Sequence, residues 1–325
     1  MKNGGVGGGA ANRELTRSLY RRVLKLVSVA EQPHTQRIMQ TRWVEFVPSQ
    51  VWIERGDELR HIARRSFEAP FTPAAVANAF TFLKEARDSL FSIWVLAEWE
   101  RVEAQEHWDL YDGMVLMSAA LYGARAGCDT HQSFESSIKD YQVCIRSYVQ
   151  GIARAVQQRM EVSALEAGHV EDLTKFVEIV REASALERRD ATPEDFSLLS
   201  VLQTRCASEY VLNIVLLLVL RALNIHSTLV GANLAFRWVR VMPRNNAPTI
   251  FASWSYGAMP RQDVERLIRT ADAQWYYSVP WDSLQRKSVV CALLRRQLGC
   301  LKEPLDAVGK KVKSTCKEQI LFLLS

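Results

Sequence analysis

The chain has 325 residues, of which 48% are hydrophobic and 24% charged, and its formal net charge at pH 7 is +5. This is the composition of an ordinary globular protein with room for two domains. Its six cysteines and six histidines are scattered, which argues against a disulfide framework or a zinc site and favours a reducing compartment. No apolar run approaches the ~20 residues that a transmembrane helix needs, so the sequence predicts no membrane span.

Positive charge is concentrated near the two ends of the chain. Residues 12–30 carry five basic side chains against the single acid Glu14, and residues 286–317 carry nine Lys or Arg against Glu303 and Asp306. Such faces predict an acidic partner, either a protein or a nucleic acid. Solvated helix faces without a partner are the alternative.

The first 30 residues divide into a leader and a helix. Residues 1–12 are Gly-rich and predict a flexible leader, with only a weak likeness to a mitochondrial targeting segment. Residues 13–30 predict an amphipathic helix, because apolar residues recur there at helical spacing. That apolar stripe consists of Leu15, Leu19, Val23, Leu26 and Val27.

The tripeptide Leu19-Tyr20-Arg21 lies on this basic helix and resembles the signature of the LYR-motif family. In that family, a second element follows with a pattern like IRxxFRxN, and residues 59–67 (LRHIARRSF) are similar. A third helix is predicted over residues 72–90, with Pro73 at its first position. The segment 31–56 between the first two elements is longer than the usual connection. The resemblance covers residues 13–95 and implies a three-helix domain.

This resemblance implies a partner, the mitochondrial acyl carrier protein. Basic residues of the family face the acidic helix of that carrier, and its acylated 4′-phosphopantetheine enters between the helices. The implied binding residues are Arg17, Leu19, Tyr20, Arg21, Arg22, Lys25, Arg60, Arg64, Arg65 and Phe67. The apolar slot would include Leu19, Val23, Phe67, Phe80 and Leu83. A plain three-helix bundle with a solvated basic face is the alternative.

The second half of the chain centres on residues 210–220 (YVLNIVLLLVL), where Asn213 is the one strongly polar residue. A segment that is apolar on every side predicts a buried helix. Asn224 suits the turn after it, and residues 225–230 and 234–242 predict a strand pair. Further along, residues 250–254 predict a strand, and 260–271 and 281–301 predict helices.

Residues 197–225 resemble the central segment of the transglutaminase-like family of the bacterial SirB type. The family patterns VLxxR and RRLGI are matched by residues 201–205 (VLQTR) and 221–225 (RALNI). The resemblance spans residues 105–301 and implies an α+β domain, followed by a basic tail with an apolar end over 302–325. The predicted fold class is therefore mainly α with a small β-sheet.

Active members of the wider superfamily use a Cys–His–Asp triad, in which an imidazole activates a thiolate and a carboxylate orients the imidazole. The three positions fall here on Glu209, Ala235 and Ala252. None of these residues can perform the corresponding step, so the resemblance implies a domain without catalytic residues. A cysteine-dependent enzyme that uses Cys206 with an unplaced histidine, for which His226 is the nearest candidate, is the alternative.

Together the two resemblances predict a non-enzymatic adaptor or assembly factor in the mitochondrial matrix. It would bind acyl carrier protein through the first domain and dock into a larger assembly through the second. A mitochondrial ribosome assembly intermediate is the favoured parent, and a respiratory complex is the alternative. No cofactor of its own and no metal are predicted, and contact with RNA is compatible with the basic ends.

Overall fold

The protein is mainly helical, with small β-sheets in its second half. The computed structural model describes residues 7–42, 61, 64, 73–105, 108–126, 130–232, 235–242, 248–271 and 285–324. The chain divides into two units, of which the first is Met1–Ala104 with Ala126–Phe134 and the second is Gln105–Arg125 with Glu135–Ser325.

Helices build the described part of the first unit. They are α1 (Gly7–Ala30), α2 (Pro33–Arg42) and α3 (Pro73–Glu103). Both α1 and α2 pack against α3. The buried side of α1 matches most of the predicted apolar stripe, with Leu19, Val23 and Val27 each at most 2% exposed. Leu15 is 42% exposed, so the stripe begins one turn later than predicted.

Two expectations for this unit need correction. The leader predicted over residues 1–12 overlaps the helix, because α1 begins at Gly7. Once a helix is anchored by packing, each residue added to its end forms one more hydrogen bond, which favours this extension. The connection 31–56 contains α2, which starts at Pro33, a residue suited to the first helical position. The third helix is observed as α3, which starts at Pro73 as predicted and continues beyond residue 90 to Glu103.

The C-terminal half of α3 is shielded from solvent, and residues 90–99 are all buried. Trp99 and Phe91 are fully buried, and the ring of Phe91 meets that of Phe134 edge-on at 5.2 Å. Trp94 stacks on His131 with ring centroids 6.2 Å apart. Phe91 and Trp94 therefore have these ring partners within their own unit.

In the second unit, helices come before, between and after the strands along the chain. They are α4 (Leu110–Ala126), α5 (His131–Arg159, entering from the first unit), α6 (Val162–Ala167), α7 (Val170–Ser184), α8 (Ser200–Gln203), α9 (Glu209–Ala222), α10 (Arg261–Ala271), α11 (Arg286–Gly299) and α12 (Ala307–Leu324). The strands are β1 (Glu187–Arg188), β2 (Cys206–Ala207), β3 (Ser227–Ala232), β4 (Ala235–Val241), β5 (Ile250–Ser253) and β6 (Gly257–Pro260).

The predicted central helix is confirmed as α9. Its residues 209–220 are all buried, as a segment apolar on every side requires. Asn224 adopts φ 61°, the left-handed conformation that ends a helix, and its short polar side chain tolerates it. The chain then enters an antiparallel sheet of order β3-β4-β5-β6, while β1 and β2 form a separate parallel pair.

The four-stranded sheet is covered on both faces. On one face, Val230, Trp238 and Phe251 form a cluster with Val264 of α10. By strand alternation, Leu229, Val239 and Val241 point to the other face, where they are also buried. Helix α9 packs against β3 and β4, and α7 packs against β5 and β6. This arrangement fixes the N-terminal end of α9 beside the end of β5.

Candidate functional site

Two polar regions carry the predicted functional residues, one in each unit. In the first unit, Arg17, Arg21 and Lys25 follow one another at intervals of four residues along α1, and Arg22 lies beside them. All four side chains are exposed, opposite the buried face of the helix. Residues spaced in this way share one helix face, so they form a continuous basic face. We call these four residues the α1 basic face.

Within the part of the chain that the structure describes, none of the four cations of the α1 basic face forms an ion pair. The exposed acid on the same helix is Glu14, one turn before the basic face begins. A row of uncompensated cations on a rigid helix attracts anionic groups, and guanidinium groups favour carboxylates and phosphates.

The other residues implied by the LYR resemblance have mixed placements. Leu19 is buried against the unit's core and Tyr20 is half-buried, so these two support the helix rather than its basic face. Arg64 is helical and exposed. Arg60, Arg65 and Phe67 lie outside the described residues.

The predicted apolar slot requires one correction. Leu19, Val23 and Leu83 are buried as expected, with exposures of 2%, 0% and 8%. Phe80 is 48% exposed, so it does not share their buried environment. It lies near the start of α3, before the continuously buried stretch that begins at Leu90.

In the second unit, the polar region lies at the N-terminal end of α9. Ser208 is the N-cap, and its hydroxyl accepts the backbone N–H of Val211 at 3.4 Å. The Ser208 N–H in turn donates to the Asp195 carbonyl at 2.7 Å. The acidic side chain of Glu209 occupies the first turn, where the helix dipole stabilises negative charge.

Glu209 is held by two partners. The Ser253 hydroxyl at the end of β5 donates to Oε1 at 3.3 Å, and a guanidinium nitrogen of Arg188 lies 2.7 Å from Oε2. The carboxylate is almost fully buried, whereas the Arg188 side chain is half exposed. Arg188 also donates to Asp190 at 3.1 Å and to Ser255 at 3.3 Å.

The charges around Arg188 keep it protonated. Desolvation acts to lower the pKa of Arg188, but the hydrogen bond to Asp190 and the negative charges of Glu209 and Asp190 outweigh it and raise the pKa. Glu209 therefore faces a permanent cation. A carboxylate held in this way is an ion-pair partner and not a nucleophile of the cysteine type.

A second carboxylate close by in sequence is also fully engaged. Asp195 is completely buried, and its oxygens accept hydrogen bonds from Arg189 at 2.8 Å and from the backbone N–H groups of Ala191 at 3.0 Å and Thr192 at 2.8 Å. Burial acts to raise the pKa of Asp195, but these hydrogen bonds outweigh it and lower the pKa. The Asp195 carboxylate lies on the 3-10 turn Pro193–Phe196, and by accepting the backbone N–H of Thr192 it caps the start of that turn.

The strand register separates two of the three triad positions. Glu209 lies beside the end of β5, but Ala252 is paired across the sheet with Val239, and Ala235 with Ala232. Ala235 is four residues from Val239, which is about 13 Å along a strand. The two strand positions are therefore not cross-strand neighbours.

The alternative pair, Cys206 and His226, is also separated. Cys206 lies in β2, just before α9, and His226 follows the C-terminal end of α9. A 14-residue helix is about 21 Å long, so these side chains are at opposite ends of it. Cys206 is partly buried and its backbone N–H binds the Thr204 hydroxyl at 3.3 Å.

Only indirect sequence signals point to the residues that the structure places at this end of α9. Asn213 was the one strongly polar residue of the apolar run, and its Oδ1 accepts the Trp254 N–H at 2.7 Å. Arg188 and Ser253 carried no signal, because their contacts with Glu209 join segments 21 and 44 residues away. Contacts between segments that are distant in the sequence leave no periodic pattern from which they could be predicted.

Comparison of the chain with protein families, with curated proteins and with solved structures finds no match. The two family resemblances therefore remain predictions from the sequence. Among the described residues, no group of three or more His, Cys, Asp or Glu side chains is arranged to hold a metal ion. Within the same residues, no helix is both long and apolar enough to cross a membrane.

Proposed function

We propose that this protein is a non-enzymatic adaptor or assembly factor of the mitochondrial matrix that binds acyl carrier protein through its first unit. The observation that carries the proposal is the α1 basic face, four exposed cations without ion-pair partners in the described part of the chain. The LYR resemblance supplies the class of partner. Acyl carrier protein fits this surface because it offers an acidic helix together with a phosphate group.

Charge complementarity sets the expected behaviour of this interface. Exposed ion pairs are individually weak, but several aligned pairs steer association and fix its register. Salt screens such contacts, with a Debye length of about 8 Å at physiological ionic strength. Binding should therefore weaken steeply as salt rises. The acylated 4′-phosphopantetheine group would add apolar contacts.

The second unit would act as a docking body for a larger assembly. In active members of the transglutaminase-like superfamily, the cysteine lies at the position of Glu209, at the N-terminal end of α9. Here the charged groups at that end are already bound to one another in the pairs Arg188–Glu209 and Arg189–Asp195. We favour a mitochondrial ribosome assembly intermediate as the parent, because both ends of the chain are basic and RNA contact would use such charge. A subunit of a respiratory complex is the alternative parent.

A cysteine-dependent enzyme is the second candidate function, since Cys206 lies just before the N-terminal end of α9. Alkylation tests it. An amidase or transglutaminase activity that is lost when the wild type is alkylated, and that is absent from Cys206→Ser and Cys206→Ala, would support the enzyme. We expect no such activity before or after alkylation.

Direct binding tests the adaptor. Purified acyl carrier protein, prepared with and without its acyl chain, is titrated onto the full chain, and Arg21→Glu/Arg22→Glu is compared with the wild type. We expect the double reversal to weaken binding at least tenfold. The control is Arg154→Glu/Lys175→Glu, which reverses two exposed cations of α5 and α7. Equal losses in both variants, or no binding by the wild type, would contradict the proposal.

A further inference from the structure

The C-terminal end of α12 is apolar on two opposite sides. Phe322 and Leu323 are each 3% exposed, because α12 packs against α11. Leu321 and Leu324 are 69% and 62% exposed. A helix segment that is apolar on every side is normally covered on every side. The packing within the unit covers one side of this segment and leaves the other in solvent.

The two exposed leucines continue a stripe that is basic at its other end. From Lys310 onward, the exposed positions of α12 recur at intervals of four, three, four and three residues, which places them on one helix face. This outer stripe consists of Lys310, Ser314, Lys317, Leu321 and Leu324. One helix face thus offers two cations and then two large apolar side chains.

Neither Lys310 nor Lys317 forms an ion pair with any described residue. The acids near the stripe already have partners: Glu303 binds Lys313 at 2.7 Å, the carboxylate of Asp306 accepts the Gly309 N–H at 2.7 Å, and that of Glu318 accepts the Ser314 hydroxyl at 2.9 Å. The stripe therefore presents net positive charge beside its apolar end.

We propose that the outer stripe of α12 docks onto an acidic protein surface that contains an apolar pocket. Leu321 and Leu324 enter the pocket, and Lys310 and Lys317 meet carboxylates beside it. This is the binding mode of an amphipathic helix in a groove, where anchors recur at helical spacing. The inference is independent of acyl carrier protein binding, because α12 belongs to the second unit.

Two other occupants fit this stripe less well. A two-fold pairing with a second copy that is centred on the stripe would place Lys317 against its own mate and Lys310 against Leu324. Like charges and a cation against an apolar side chain both oppose that pairing. Nucleic acid would use the lysines, but its phosphates gain nothing from two exposed leucines.

Binding of defined probes to the full chain tests the inference by fluorescence anisotropy. The probes are a helical peptide with glutamates on one side and leucines on the other, an oligoglutamate of equal charge, and a single-stranded RNA oligonucleotide. We expect the amphipathic acidic peptide to bind at least tenfold more tightly than oligoglutamate. Leu321→Ser/Leu324→Ser and Lys310→Glu/Lys317→Glu should each weaken peptide binding at least tenfold.

Matched controls lie on α5 of the same unit. Val143→Ser removes an apolar side chain that is 64% exposed, and Arg154→Glu reverses an exposed cation. Both should bind the peptide as the wild type does. If the double leucine variant loses helical content, Leu321→Gln alone carries the same test.

Several results would overturn the inference. One is equal affinity for the peptide and for oligoglutamate, and another is equal loss in the α5 controls. Tighter binding of RNA that depends on the lysines but not on the leucines would assign the stripe to nucleic acid. Self-association that disappears in Leu321→Ser/Leu324→Ser, measured by light scattering, would assign it to a second copy.

Discussion

Arginine residues serve different purposes in the two units of this protein. On α1, Arg17, Arg21 and Arg22 point into solvent without ion-pair partners among the described residues. Before α9, Arg188 and Arg189 are bound to Glu209 and Asp195 at 2.7 Å. The arginines of α1 are available to bind another molecule, whereas those before α9 form ion pairs within the fold.

This difference shows why charge alone does not locate a binding site. A cation whose carboxylate partner is buried stabilises its own domain, because removing either partner leaves a group without its hydrogen bonds. A cation without a partner contributes little to folding and remains free to bind. The predictions below separate these roles by measuring stability and binding in the same variants.

The largest effect is expected at Asp195. Asp195→Ala removes three hydrogen bonds from a completely buried carboxylate and leaves the N–H groups of Ala191 and Thr192 without that partner. We expect a loss of about 3 kcal/mol in the free energy of unfolding, measured by urea denaturation. A loss below about 1 kcal/mol would show that Asp195 does not hold this turn together.

A smaller effect is expected at Glu209. Arg188–Glu209 and Arg159–Glu182 have the same N–O distance of 2.7 Å, but the carboxylate is 5% exposed in the first pair and 70% in the second. Double-mutant cycles to alanine should give a coupling of about 1 kcal/mol for the first pair, because Arg188 remains half solvated, and at most ~0.5 kcal/mol for the second. Equal couplings would remove the distinction between a buried and a surface pair.

The pH dependence of stability should identify Asp195 as an ionised group. Its pKa is lowered in the folded state, so its stabilising contribution is complete above the unfolded-state pKa of about 3.9 and is lost as the pH falls through the folded-state pKa. The stability difference between the wild type and Asp195→Asn should be constant from pH 7 to pH 5. It should shrink below about pH 4. A difference that grows on acidification would contradict the assignment.

The smallest effect on stability is expected on α1. Arg21→Glu/Arg22→Glu changes exposed side chains that have no ion-pair partner in the described residues, so the free energy of unfolding should change by at most ~0.5 kcal/mol. Thermal and urea denaturation check this value. A loss above ~2 kcal/mol would mean that these cations support the fold, and the contrast between the two units would fail.

The parts of the fold that sequence could predict are those with a local physical cause. The apolar run of α9 and the turn at Asn224 each depend on residues within one helix or turn. Helix α2 was missed because its sequence (PHTQRIMQTR) is mostly polar and its stability comes from packing against α3. Propensity alone does not reveal such a helix.

The candidate sites divide in the same way. The α1 basic face was predictable, because it follows from helical spacing of charged residues. The pairing of Arg188 with Glu209 was not, since β1 and α9 are brought together only by the tertiary fold. The strand register that separates Ala235 from Ala252 was likewise invisible, because residues 243–249 between the two strands do not specify how β4 and β5 align.

Native mass spectrometry of the protein isolated from mitochondria tests the central claim most directly. The account predicts a complex whose added mass is that of a small acidic carrier bearing an acylated 4′-phosphopantetheine group. That carrier should be absent when Arg21→Glu/Arg22→Glu is isolated in the same way and present with Arg154→Glu/Lys175→Glu. A native complex that contains no such carrier, or one that keeps it after the α1 reversal, would contradict the assignment of α1 as the binding surface.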